Sequence, residues 1–213
     1  MNGSDRQTTC GAHNGVRGAG PDDISEIVAI HVESFPGFFL SFLGPRFLRL
    51  LYDSIVHHER GVAFVCLDNG EVAGFVAGVA NPSGFYRALI KHRLPAFMWA
   101  ATGAVVRRPQ IIPRLLRALL YPSQTPAGEC IGTLMSIGTR PNCQGRGIGK
   151  QLVDAFLAEM RRRNVRCVNL TTDRDNNDEV NAFYQRLGFR LTRSYETPEH
   201  RHMNEYEYVL GCP

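Results

Sequence analysis

The sequence predicts an α/β domain, in the sense of an α+β mixed sheet with flanking helices, on three observations. Two β-rich runs flank a tight-turn signal at Asp68, Asn69 and Gly70. A strand, a glycine-rich loop, an amphipathic stretch and a second strand follow one another between about residues 129 and 172. Helical patterns precede the first pair of strands and separate the later ones.

With 213 residues, 44% of them hydrophobic and 21% charged, the chain can bury one sizeable core. The expected organisation is a loose tail over residues 1–20, which holds five glycines, and a single domain over 21–213. A net charge of +4 argues against a surface-wide nucleic-acid footprint. Cys10, Cys66, Cys130, Cys143, Cys167 and Cys212 are scattered without a C-x-x-C pair and read as reduced thiols. No stretch reaches the ~18 apolar residues of a spanning helix, and a soluble, cytoplasmic protein is expected.

From Pro21, Asp22 and Asp23 can cap a helix whose Ile24, Ile27, Val28 and Ile30 share a face, and "ESFPGFFL" ends it. A second helical stretch runs from about Phe38 to His57, broken at Gly44 and Pro45. "GVAFVCLDNGEVAGFVAGVA" is an antiparallel hairpin. After a long insert, "ECIGTLMSIGTR" is a strand, and a helix spans about Gly147 to Arg163. "RCVNLTT" is the next strand, over about 166–172. "NNDEVNAFYQRLGF" is a short helix capped by Asn176 or Asn177 and stopped at Gly188, with strands near 189–196 and 203–210 closing the chain.

The loop "RPNCQGRGIGKQLV" decides the chemistry. A phosphate loop of the G-x-x-x-x-G-K-S/T kind fails, because Gln151 follows Lys150 and Gln144 stands where the first glycine belongs. A dinucleotide fingerprint fails on spacing and on context, since the loop comes late and follows an antiparallel hairpin. What remains is a set of backbone N–H groups at a helix N-terminus, where aligned peptide dipoles favour a pyrophosphate. Arg146 and Lys150 add positive charge.

"SIGTRPNCQGRGIGKQLV" resembles the signature of the GCN5-related N-acetyltransferases (GNAT), with Gln144, Gly145, Gly147 and Gly149 on its Q/R-x-x-G-x-G/A core. "NDEVNAFYQRLGF" is similar to the family's downstream segment, with Asn177, Phe183, Tyr184, Gly188 and Phe189 in step and Val180 in place of the usual alanine. The resemblance implies a largely antiparallel central sheet with splayed middle strands. It implies acetyl-CoA, or another acyl-CoA, as cosubstrate, with its pyrophosphate on Gln144, Gly145, Arg146, Gly147, Ile148, Gly149 and Lys150. It further implies pantetheine contacts from the backbone of Ile137 and Thr139, a cofactor contact from Asn177, and Tyr184 as the general acid that protonates the departing thiolate.

From periodicity alone Tyr184 is core, since Val180, Phe183, Tyr184 and Leu187 form one stripe; the resemblance gives it the catalytic role. The general base stays open among His31, Glu33, Glu129, Asp173 and a chain of waters. Phe35, Phe38, Phe39 and Phe42 are either an aromatic wall for the acceptor or core.

The segment of about 81–128 reads as a helical insert. No Asp or Glu occurs from Val72 through Gly128, whereas Arg87, Lys91, Arg93, Arg107, Arg108, Arg114 and Arg117 give it +7. It suits an anionic partner, an acyl carrier or a lipid surface, or serves as a lid or dimer helix with solvated arginines. His200 and His202 near Glu199 lack a convergent third ligand, so no metal is expected. The reading is an N-acetyltransferase acting on a small-molecule or peptide amine. A longer-chain acyltransferase and a non-catalytic acyl-CoA sensor are its alternatives, and a homodimer and a peripheral membrane contact stay open.

Overall fold

The computed structural model describes residues 14–107 and 131–211, the side chains of Ile90 and of 103–107 excepted. Its strands are β1 (Gly15–Gly18), β2 (Gly61–Asp68), β3 (Glu71–Ala80), β4 (Ile131–Thr139), β5 (Cys167–Asp173), β6 (Arg190–Glu196) and β7 (His202–Val209). They form one sheet in the order β1-β2-β3-β4-β5-β7-β6, antiparallel throughout except for the β4–β5 pair.

Two helix layers cover the sheet. On one face lie α1 (Ile24–Ser34), α2 (Phe39–Leu43), α3 (Pro45–His57) and α4 (Pro82–Arg107). Their Ile27, Leu48, Tyr52, Phe85 and Phe97 pack on Phe75, Ala77 and Val79 of β3. On the other face, α5 (Ile148–Arg162) and α6 (Asp178–Arg186) bring Leu152, Phe156 and Tyr184 onto Val76, Leu134, Val168 and Tyr206. Burying two such sets of apolar side chains is what holds the helices to the sheet.

Local chemistry sets the ends of these elements. Gly44, at φ 94, ends α2 and precedes Pro45, which opens α3 with the φ that a first helical turn needs. Asn69 at φ 53 and Gly70 at φ 82 make the left-handed pair that a two-residue hairpin demands. The chain orders earlier than the expected tail. Gly15–Gly18 pair with β2, and the Arg17 guanidinium grips Asp23 through bonds of 2.6 and 2.7 Å. Residues 1–13 lie outside the described set.

The insert begins as a helix, α4, with Pro95 inside it and Phe97 edge-on to Phe47 at 5.0 Å. Arg108, Arg114 and Arg117 fall beyond the described residues, as does Glu129. Among the described residues no helix is long and apolar enough to cross a membrane.

Candidate active site

Two features of the sheet create the site. The first is a parting of the strands. β4 and β5 pair only through Ile131–Cys167, Gly132–Val168 and Thr133–Asn169, and beyond Thr133 β4 keeps a partner on its β3 side alone. Arg140 donates to the Ala73 carbonyl at 2.8 Å, so Gly138 and Ser136 also turn their backbone groups toward β3. The alternate residues Ile137 and Thr139 therefore direct theirs into the gap, where no strand answers them.

The second is a bulge. Ala77 opposes Ser136 and Gly78 opposes Leu134, leaving Met135 as the extra residue of β4. Gly78 makes the room: a Cβ there would lie 2.2 Å from the Thr133 carbonyl oxygen and 2.7 Å from the Phe156 ring. Across the bulge the side chains change sides, so that Leu134 and Ile137 join the α5 face while Met135 packs on the α1–α3 face.

The glycine loop stands at the end of β4. Pro141–Cys143 form a single 3-10 turn, and Gly145 (φ 74) and Gly147 (φ 78) then take left-handed conformations. A Cβ on either would meet nothing within 4 Å, so the space above the loop is open and the glycines serve its backbone shape. Gly147 is the N-cap of α5, without a side-chain cap and without an acid in the first turn. The helix thus opens with donors that no side chain satisfies. Gln144, Gly145, Arg146, Gly147 and Lys150 are exposed, and Ile148 anchors the loop in the core. This set fits a pyrophosphate.

The two cations expected to help are otherwise engaged. Arg146 clasps Asp68 of the hairpin turn at 2.5 and 3.0 Å, and Lys150 reaches Asp154 at 2.5 Å. Both pairs are exposed and weakly held, as such pairs are in water.

Tyr184 projects from α6 into the core at 5% exposure, ringed by Phe183, Phe189 and Tyr206 at 5.3, 5.6 and 6.1 Å. Burial lifts its phenol above the ordinary range and keeps it protonated. Among the described residues none forms a hydrogen bond with its hydroxyl.

Asn177 occupies the N-cap position of α6 but makes no capping bond. Its amide instead donates to Thr172 Oγ1 at 2.8 Å and to the Asp173 carbonyl at 2.9 Å. Asn181, buried one turn on, also donates to that carbonyl, at 3.0 Å, and accepts from Asn204 and Tyr206, each at 2.9 Å. These amides hold the end of β5 against α6. The sequence reading missed Asn181, although its spacing from Asn177 puts the two on one helix face.

On the opposite face a cavity of about 210 Å³ is lined by Pro36, Gly37, Phe38, Phe39, Asp173 and Arg201. Arg201 chelates both Asp173 oxygens at 2.7 Å and lies 5.2 Å over the Phe38 ring. The four phenylalanines divide their roles: Phe42 packs on the core, Phe38 lines the cavity, Phe39 does both, and Phe35 sits between His31 and Phe38 at 4.8 and 5.5 Å. Nothing in the sequence pattern marked Arg201, which lies in the turn between β6 and β7.

The base candidates separate in the same way. Asp173 is neutralised by Arg201, and Glu33 stands 3.5 Å from Arg140. His31 is 3% exposed, and desolvation lowers its pKa to about 4, so the ring is neutral. His200 pairs with Glu196 at 2.6 Å and His202 with Asp175 at 2.5 Å. Among the described residues no three His, Cys, Asp or Glu converge as metal ligands, and Cys66, Cys143 and Cys167 form no disulfide.

Comparison with known proteins adds to this geometry. The model of the acetyltransferase (GNAT) family matches residues 24–189. A mycothiol acetyltransferase of Geodermatophilus obscurus is 29% identical over 109 residues, which are 51% of this chain and 29% of that protein. The match therefore spans less than a third of the relative's length. The crystal structure of SsHAT superposes with a TM-score of 0.64 at 24% identity, over 92% of this chain and 98% of its own. Arabidopsis thaliana NAA60 in complex with acetyl-CoA superposes with a TM-score of 0.57 at 19% identity, over 91% and 97%. At these identities the structural likeness is one of fold.

Proposed function

The chain belongs to the acetyltransferase (GNAT) family, and from that premise we propose that it is an N-acetyltransferase moving an acetyl group from acetyl-CoA to a primary amine. Members of the family use acetyl-CoA as cosubstrate. The observation that carries the reading is the gap beyond Thr133. It leaves β4 without a partner strand on its β5 side, and in this reading it joins the uncapped start of α5 to the cavity beside Asp173.

In this reading the amides of Gly145 to Lys150 hold the pyrophosphate, and the gap-facing backbone of Ile137 and Thr139 holds the pantetheine arm as a partner strand would. Acetyl-CoA supplies a thioester, whose carbonyl carbon the neutral amine attacks. An N–H of β4 directed into the gap stabilises the oxyanion. The C–S bond then breaks, and Tyr184 gives its proton to the thiolate sulfur. In a dry site the thiolate is also a stronger base than in water, which brings the buried phenol and the sulfur closer in proton affinity. The amine sheds its own proton to solvent at the mouth of the cavity, and a proton from solvent returns to Tyr184 to restore the phenol.

The acceptor enters between Phe38 and the Asp173–Arg201 pair, where an ammonium finds a carboxylate and an anionic group finds a guanidinium. The mycothiol acetyltransferase relatives support a small-molecule acceptor without carrying mycothiol itself to this chain. A thiol-release assay with acetyl-CoA across an amine panel tests the reading. Coenzyme A binding without transfer to any amine would leave a sensor in its place.

The outer face of α4 favours a further contact, with an anionic lipid surface. Arg87, Lys91, His92, Met98 and Trp99 are exposed along it, Trp99 at 76%, and α4 contains no acid. Basic side chains beside an interfacial tryptophan match anionic headgroups above an apolar boundary.

A further inference from the structure

The chain leaves the sheet at Arg140, which is held by its backbone and by its side chain. Its N–H carries the β3 pairing one residue past β4, donating to the Ala73 carbonyl at 2.8 Å. Its carbonyl accepts from Cys143 at 2.9 Å and closes the 3-10 turn that leads to the glycines. Arg140 Nε donates to the Val72 carbonyl at 2.9 Å, one terminal nitrogen donates to Glu26 in the first turn of α1, and the other stands 3.5 Å from Glu33 in its last turn. The helix that receives these contacts is itself fixed. Ile27 and Ile30 bury it in the core, and its Ser34 hydroxyl lies 2.8 Å from where a Cβ on Gly138 would stand.

The loop beyond Arg140 has little of its own to fix its direction. From Pro141 to Lys150 only Cys143 and Ile148 are buried. A Cβ on Gly145 or Gly147 would meet nothing within 4 Å, and glycines in such open space can turn the backbone several ways. The Arg146–Asp68 pair ties down a side chain, on an exposed surface where ion pairs hold weakly. Arg140 is the better anchored end, since its side chain is only 26% exposed and its planar fork reaches a carbonyl and two carboxylates together.

We propose that Arg140 is a positioning residue for the cosubstrate: by locking the exit of β4 to α1, it sets the direction in which the glycine loop presents its amides to the pyrophosphate. This rests on the acetyl-CoA reading above. Donors fixed in advance bind an anion more tightly than donors that must first be ordered. The charge of Arg140 does not itself serve the anion, because Glu26 and Glu33 stand against the guanidinium and offset it. Two acids so close to a pyrophosphate site would weaken it if the field alone mattered. Their place is explained if they hold Arg140 still.

The test titrates coenzyme A by calorimetry, at near-physiological salt, into the full chain as wild type, Arg140→Gln, Arg140→Lys and the double variant Glu26→Gln/Glu33→Gln. Each variant should bind about tenfold more weakly at unchanged stoichiometry, the range expected for a loop that must be ordered on binding. Position and charge predict different signs. Arg140→Lys keeps the charge but lacks the fork, and removing two acids raises the positive potential. A charge effect alone would therefore leave Arg140→Lys at wild-type affinity and tighten binding in the double variant. Either result would overturn the proposal, as would an unchanged affinity in Arg140→Gln. A role in stability alone gives a lower stoichiometry with an unchanged dissociation constant, from a fraction of unfolded chain, and that too would overturn it. Should Arg140→Gln fail to fold, the double variant decides, since both carboxylates are nearly half exposed. A wild type that does not bind coenzyme A removes the acetyl-CoA reading itself, and this proposal with it.

Discussion

Phe183 lies against Gly149: a Cβ on that glycine would stand 3.3 Å from the edge of the ring. The contact packs α6 against the first turn of α5, so the helix that carries Tyr184 borders the loop proposed to hold the pyrophosphate. Tyr184 follows Phe183 directly and faces the same core.

Replacing Tyr184 by Phe should therefore separate chemistry from binding. The ring packing on Phe183, Phe189 and Tyr206 survives, and the hydroxyl alone is lost. The expected outcome is a fall in acetyl-CoA turnover of about 10²-fold or more, with coenzyme A affinity within about twofold. Stopped-flow thiol release and calorimetry measure the two. An unchanged rate would remove Tyr184 from the mechanism.

Gly147→Ala should act the other way. Its Cβ has room, so the cost is the left-handed backbone at φ 78, about 1 kcal/mol. Relaxing that strain turns the loop amides aside. Coenzyme A affinity should fall about tenfold while the thermal midpoint shifts by only a few degrees. Titration at near-physiological salt checks it, and unaltered affinity would rule out an amide cradle at this position.

Gly78→Ala tests the bulge. A methyl 2.2 Å from the Thr133 carbonyl must displace backbone, so the variant should lose roughly 1–3 kcal/mol or more, far beyond the effect of Gly147→Ala. Urea unfolding of the two variants gives the comparison. Equal stability would show that β3 and β4 can pair without the distortion.

Buried His31 predicts a pH effect on stability. Its folded pKa of about 4 lies below the ~6.5 of an exposed imidazole, so between these values the unfolded chain binds a proton that the fold refuses. Stability is full above pH ~6.5 and declines as pH falls toward 4, by up to about 3 kcal/mol. His31→Gln should flatten that part of the curve. Thermal midpoints measured from pH 4.5 to 7.5 reveal the difference; parallel curves would contradict the assignment.

Trp99 is the one tryptophan of the chain, so its emission reports directly on the α4 face. Vesicles containing phosphatidylserine should shift that emission to the blue and sediment the protein, whereas neutral phosphatidylcholine vesicles should not. Lys91→Glu should weaken binding, and added salt should reverse it. A concentration-dependent blue shift without vesicles would point to self-association through the same face.

Much of the fold was legible because it rests on short-range rules. The left-handed demand at Asn69 and Gly70 marked the hairpin, Gly44 with Pro45 marked the break between α2 and α3, and alternation marked β4. β1 escaped notice because Gly15–Gly18 is too short and glycine-rich to carry a pattern. Its place comes from pairing with β2, some fifty residues on, and from the Arg17–Asp23 bond beside it. The capping bond expected of Asn177 was likewise a local rule, overridden when Thr172 and the Asp173 carbonyl offered the amide other acceptors.

The sequence by itself determined the succession of helices and strands, the glycine-rich turn of residues 144–150 at the start of α5 and the aromatic–glycine register of α6. Each depends on neighbours within a few positions, through backbone dihedrals and side-chain periodicity. Only the tertiary structure decided where β4 and β5 part, that Arg201 pairs with Asp173, that Arg146 turns to Asp68, and that His31 and Tyr52 meet between α1 and α3. Those outcomes join residues tens of positions apart, and they follow from which polar groups can reach a partner once two apolar layers have closed on the sheet.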